Sequence, residues 1–81
     1  MSAAEPQKEH PTSLTDEQYN RCLKEVVVFL AKNPKIRNRE LREISGIGYD
    51  QAIRFFKRAT EDKRLVRKGS SSSTHYVLPS L

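Results

Sequence analysis

Ser45-Gly46-Ile47-Gly48 breaks the chain between two short helical patterns, and this break limits the fold more than any other feature. Before it, Leu41 and Ile44 lie three residues apart and predict the inner face of a helix over Arg39 to Ser45, with Asn38 as its N-cap. A helix that short does not stand alone in water and needs partners. Gly46 accepts a positive φ and so permits a sharp turn. Ile47, between two glycines, is expected to tuck inward. After the break, a further helix is predicted from Gly48 or Tyr49 to about Lys63. Its inner face is Ala52, Phe55 or Phe56, and Ala59. Neighbours on a helix lie roughly 100° apart, so the two phenylalanines are not expected both to point fully inward. At least one is expected to cover the seam with another helix or a sheet.

Upstream, Thr15 offers an N-cap, with Asp16 and Glu17 in the first turn and Gln18 at capping-box spacing. Tyr19, Leu23, Val26 and Leu30 then recur at steps of four, three and four, and Cys22, Val27 and Phe29 widen the stripe. Asn33-Pro34 ends this helix. Lys35-Ile36-Arg37 reads as a short strand or an extended link. Residues 1–14 are polar, carry two prolines and show no apolar pattern, so they read as a disordered tail, with the folded domain over 15–81.

Downstream, Arg64 to Lys68 and Thr74 to Leu78 are rich in strand formers, and Leu65, Tyr76 and Leu78 are expected to share one face. Between them stands Gly-Ser-Ser-Ser-Ser, too long for a two-residue turn and without an apolar residue. The pair reads as a hairpin with a mobile tip.

The net charge of +5 is unevenly placed. Eleven of the 15 Lys/Arg fall between Asn33 and Lys68, against five of the ten acids. That concentration favours a polyanionic partner, although a well-solvated surface has the same composition. One cysteine and two histidines make no metal set and no catalytic triad, so no enzyme, metal or cofactor is expected. Gly46-Ile47-Gly48 is a turn, not a phosphate loop, because no Gly-Lys-Ser/Thr follows. The N-terminus holds no apolar run of signal-peptide type, and no stretch approaches the roughly 20 apolar residues of a membrane span. With a lone cysteine, this fits an intracellular protein of the cytoplasm or nucleus, not a secreted one.

Helix, extended piece, helix, glycine turn, helix and hairpin make an α+β order. The stretch from Ile36 to Leu78 resembles the DNA-binding core of bacterial winged helix-turn-helix regulators. The resemblance rests on the Leu41/Ile44 spacing, the Gly46-Ile47 turn, the Ala52/Phe56/Ala59 face, and Arg64-Leu65-Val66-Arg67-Lys68-Gly69 opening the wing. With the first helix it covers about Thr15 to Leu78. Arg42 departs from the pattern, since many such motifs have a small residue there; it either loosens the contact between the second and third helices or points outward. Ile53 and Lys57 stand where Z-form nucleic-acid binders carry Asn and Tyr, and the chain has no Trp, so that narrower reading is rejected.

The resemblance implies a three-helix bundle with a C-terminal β-hairpin wing. It also implies duplex DNA as partner, with the third helix in the major groove and the wing on the backbone. Gln51 and Arg54 are the candidate base readers. Tyr49 at the helix start, with Lys57 and Arg58, is a candidate phosphate neighbour. Arg39 lies on the helix that crosses the backbone. Arg67 and Lys68 form the base of the wing, and Ser70, Ser71, Ser72 and Thr74 supply hydroxyls and backbone N–H donors at its tip. Ile53 and Val77 lie on faces that the core does not use. A transcription regulator or a DNA-transaction factor fits this reading. The alternatives are a protein-binding adaptor on the same fold or an RNA-binding module, for which Tyr49 is the one exposed stacking candidate.

Overall fold

The computed structural model describes residues 14–80. The expected disordered tail lies outside these residues, apart from Leu14, which packs partly buried against the core. Three helices are followed by a two-stranded antiparallel hairpin, the arrangement of a winged helix.

Helix α1 spans Asp16–Lys32. Thr15 caps it reciprocally. Its hydroxyl accepts the Gln18 N–H at 3.0 Å, and its own N–H donates to the Gln18 side-chain oxygen at 3.0 Å. Tyr19, Cys22 and Val26 are buried on its inner side. Val27, expected to widen that stripe, is 45% exposed. It stands one helical step beyond Val26 and lines a surface groove with Leu23, Val28 and Arg64.

Helix α2 spans Asn38–Ser45 and begins one residue earlier than the pattern predicts. Arg37 takes the cap position, its N–H donating to Glu40 Oε1 at 2.8 Å. Asn38 is thereby freed for another task. Its Oδ1 accepts from Arg42 Nε at 2.6 Å, and its Nδ2 donates to the Tyr49 carbonyl at 3.4 Å. Arg42, half-buried, in turn lies over the Tyr49 ring at 5.4 Å. Arg42 therefore neither loosens the helix pair nor points away; it bridges α2 to the start of the next helix. Gly46 closes α2 at φ +79°, donating to the Arg42 carbonyl at 2.9 Å. Ile47 is buried, as its setting predicts.

Helix α3 spans Tyr49–Glu61. Against the expectation that only one points fully inward, Phe55 and Phe56 are both buried, at 0% and 2% exposure. Each has its own neighbour. Phe55 lies against Tyr19 of α1 with centroids 5.4 Å apart, and Phe56 stacks on Tyr76 at 3.9 Å with planes 4° apart. The core thus wraps two sides of α3, and one aromatic serves each side.

Strands β1, Val66–Lys68, and β2, His75–Val77, pair in the register Val66↔Val77, Arg67↔Tyr76 and Lys68↔His75. They are shorter than predicted. Because β2 ends at Val77, the strand alternation lapses, and Leu78 is 41% exposed instead of joining Tyr76. Ile36 is a bridge to β2: it exchanges both backbone hydrogen bonds with Tyr76, at 3.0 and 2.9 Å, and is fully buried. The serine tip is wound into a 3-10 turn over Ser71–Ser73. Ser73 donates to the Ser70 carbonyl from both its N–H and its hydroxyl, at 2.9 and 2.8 Å.

Candidate nucleic-acid interface

Packing decides which face of α3 is free. With Ala52, Phe55, Phe56 and Ala59 buried, the outer face presents Tyr49, Asp50, Ile53, Arg54 and Lys57, all exposed. Arg54 and Lys57 have no carboxylate within ion-pair distance among the described residues. Their charges are therefore available to a ligand.

Between this face, α2 and the wing lies a cleft of about 400 Å³. One wall carries Arg37, Arg39 and Arg42. The other carries Ser71, Ser72 and Thr74, and Tyr49 and Ile53 stand between them. No carboxylate lines it among the described residues. Guanidinium and hydroxyl donors facing each other across an acid-free cleft suit an oxyanion of phosphate size. Arg42 is held in place by Asn38 and Tyr49, whereas Arg39 pairs with exposed Glu43 at 3.3 Å. Such a surface pair is weak and easily exchanged.

The tip is shaped by local chemistry. Gly69 adopts φ +75°, and a Cβ there would meet the Ser73 carbonyl. His75 Nδ1 lies 2.8 Å from that same carbonyl, so it carries the proton and donates. The His75 contact holds the loop against the start of β2, and the missing Cβ of Gly69 leaves room for the Ser73 carbonyl.

Of the residues expected to form the site, Arg39, Tyr49, Ser71, Ser72 and Thr74 gather in the cleft, and Arg54 and Lys57 continue it along α3. Ser70 is exposed beside the turn. Arg67 and Lys68 are exposed, but strand alternation sends them to opposite faces of the hairpin, level with Tyr76 and His75. Gln51 is turned back on its own helix, its Oε1 accepting the Gly48 N–H at 2.9 Å. Arg58 is drawn to the other side of the molecule. Its guanidinium lies 4.0 Å from the Tyr19 ring centroid and 2.9 Å from Asp16 Oδ1. Asp16 and Tyr19 are some forty positions away, so no local pattern announces this tie. Arg37 and Arg42, for which the sequence reading leaves a backbone contact and a plain surface role equally open, join the cleft. The signal that was available is the Asn38/Arg42 spacing of four on one side of α2.

Two groups away from the cleft have shifted acidity. Burial pushes the Tyr19 hydroxyl above the usual tyrosine range, and its hydrogen bond to Asp62 Oδ2 at 3.1 Å adds to this. Burial likewise pushes the Cys22 thiol up. Among the described residues no set of His, Cys, Asp or Glu is grouped as metal ligands, and no helix is long and apolar enough to cross a membrane.

No family model matches the chain, and no curated protein matches it. Among solved structures, it is similar to the crystal structure of the DIP2311 protein from Corynebacterium diphtheriae, with a TM-score of 0.69 and 16% identity. The match covers 86% of this chain and 12% of that one. At that identity the likeness is one of fold.

Proposed function

We propose that this chain binds duplex DNA, with the outer face of α3 in the major groove and the wing on the sugar-phosphate backbone. The observation that carries the reading is the cleft between α2 and the wing, which no carboxylate lines among the described residues, continuous with Arg54 and Lys57, which have no ion-pair partner among them. Arg54 takes a base edge, with guanine as the natural partner of a guanidinium fork. Lys57 and Arg39 take phosphates, as do Lys68 and the hydroxyls of Ser71, Ser72 and Thr74. Gln51 contributes by fixing the start of α3. A transcription regulator or an accessory factor in DNA transactions uses such a module.

The test is an NMR titration with a short mixed-sequence duplex at low and then moderate salt. Salt-sensitive shifts at Arg54, Lys57, Lys68 and Ser71 to Thr74 are expected. Phosphate contacts from the three cations Lys57, Arg39 and Lys68 give a log–log salt slope of roughly −3. Silence of those resonances at low salt refutes the reading.

A second reading, a protein-binding adaptor, is favoured by one feature on the far side. Val27 and Val28 are 45% and 62% exposed, in a groove with Leu23, Lys24 and Arg64. Shifts confined to α1 on adding a cell extract, with none on adding DNA, favour it.

A further inference from the structure

Ile53 occupies the centre of the outer face of α3 and is 47% exposed. Its neighbours one turn away are Tyr49, Asp50 and Lys57, and Arg54 follows it directly. It borders both concavities of this surface, the wing cleft and the shallow one shared with Asp50, Arg54 and Lys57. The buried core does not require an isoleucine here, since about half of its surface stays open to solvent. Phe56, the next residue toward the core, is already covered by Tyr76. In a helix, a β-branched residue is also somewhat less favourable than the straight-chain polar residues that usually fill a solvent face.

What isoleucine does supply is a rigid apolar surface, since its χ1 is nearly fixed in a helix. The floor of the major groove has one apolar group that distinguishes base pairs, the C5-methyl of thymine. We propose that Ile53 is a specificity-determining residue that packs against a thymine methyl. This rests on the reading that α3 enters the major groove. Arg54 beside it and Lys57 one turn on hold the helix on the strand while Ile53 meets the base. Asp50, the one acid on this face among the described residues, lies a turn before Ile53 and disfavours phosphate there, which keeps that end of the surface over bases.

The experiment separates the two levels. A duplex pool with a randomised core is selected on the full chain, and the tightest sequence is measured by fluorescence anisotropy. Each thymine is then replaced singly by uracil, which removes the methyl and leaves every hydrogen-bonding group. The expected result is one position at which uracil weakens binding about three- to five-fold, the effect of one buried methyl. Ile53→Ala binds the thymine duplex more weakly and no longer distinguishes uracil at that position. The side chain is exposed, so the variant folds, and a urea melt checks this. If no thymine is sensitive, or if the sensitivity survives in Ile53→Ala, the inference is overturned while DNA binding stands. If no duplex binds at low salt, the DNA reading itself fails and the inference with it.

Discussion

Replacing Phe56 with alanine is expected to bring the domain close to unfolding, whereas replacing Ile53, three residues earlier on the same helix, is expected to cost almost nothing. Phe56 is 2% exposed, stacked on Tyr76 at 3.9 Å and edge-on to Phe55 at 5.5 Å. Removing its ring loses the transfer free energy of the side chain and leaves a cavity whose walls are two other rings. Such substitutions cost about 3–5 kcal/mol. A domain of this size has a stability near the lower end of the roughly 5–15 kcal/mol range. Ile53 is 47% exposed and lies outside the core, so Ile53→Ala is held to within about 0.5 kcal/mol. Urea melts followed by far-UV circular dichroism give both numbers. Phe56→Leu, which keeps most of the volume, is expected to lose about 1–2 kcal/mol, part of it from the stack on Tyr76. A loss under about 1 kcal/mol for Phe56→Ala would show that Phe56 does not join α3 to the hairpin, because that joining is where the cost arises. A loss above about 2 kcal/mol for Ile53→Ala would show that Ile53 belongs to the core, and would remove the basis for giving it a role at the surface.

Further outcomes follow from particular residues. Lys63 sits at φ +62°, so Lys63→Gly is expected to stabilise by about 0.5–1 kcal/mol, and Gly69→Ala, at φ +75° and against the Ser73 carbonyl, to destabilise by about 1–2 kcal/mol, both read from urea midpoints. Cys22 is fully buried with its thiol pushed up, so it should be silent to Ellman's reagent in the folded protein and react only at the rate of unfolding. Tyr19 has its folded pKa raised above the unfolded value of about 10, so its contribution is complete below that pH and is lost as pH rises through the folded value. The alkaline decline in melting temperature should therefore be smaller in Tyr19→Phe, and an unchanged decline would count against a pKa raised by burial and the Asp62 hydrogen bond.

Periodicity reached as far as one helix face can report. The stripes of α1 and α3, the Gly46 turn and the inward Ile47 were all legible, because each depends on residues within a turn or two. The double burial of Phe55 and Phe56 was not, since it requires partners on two different elements, Tyr19 and Tyr76. Ile36 was ambiguous for the same reason: its strand partner lies forty residues on. At the candidate site, the outer face of α3 follows from subtracting the core, so Tyr49, Arg54 and Lys57 could be named. Arg58 could not be excluded, because its tie to Asp16 and Tyr19 joins distant parts of the chain. The serine run carried too little information to predict a 3-10 turn, which arises from Gly69, Ser73 and His75 acting together.

Among the described residues, only one ion pair of this fold engages a cation of the cleft, the exposed Arg39–Glu43 pair. Arg58 takes Asp16 and Asp62 on the α1 side, and Arg39 takes Glu43 on the outside of α2. Arg54, Lys57, Arg67 and Lys68 are left with no ion-pair partner among the described residues. In the free protein these cations repel one another, and a chain with net charge +5 has no acidic surplus to offset them. Added salt acts on both terms. It screens the exposed Arg39–Glu43 pair, which is worth little, and it screens the repulsion, which is summed over several charges. The repulsion should win. Raising NaCl from about 20 to about 500 mM shortens the screening length from roughly 20 to roughly 4 Å, and is expected to raise the melting temperature of the free protein. Lys57→Gln should flatten that dependence by removing one of the repelling charges. A melting temperature that falls steadily with salt would mean that attractive pairs dominate the surface, and that the positive charge of the cleft is already balanced within the fold.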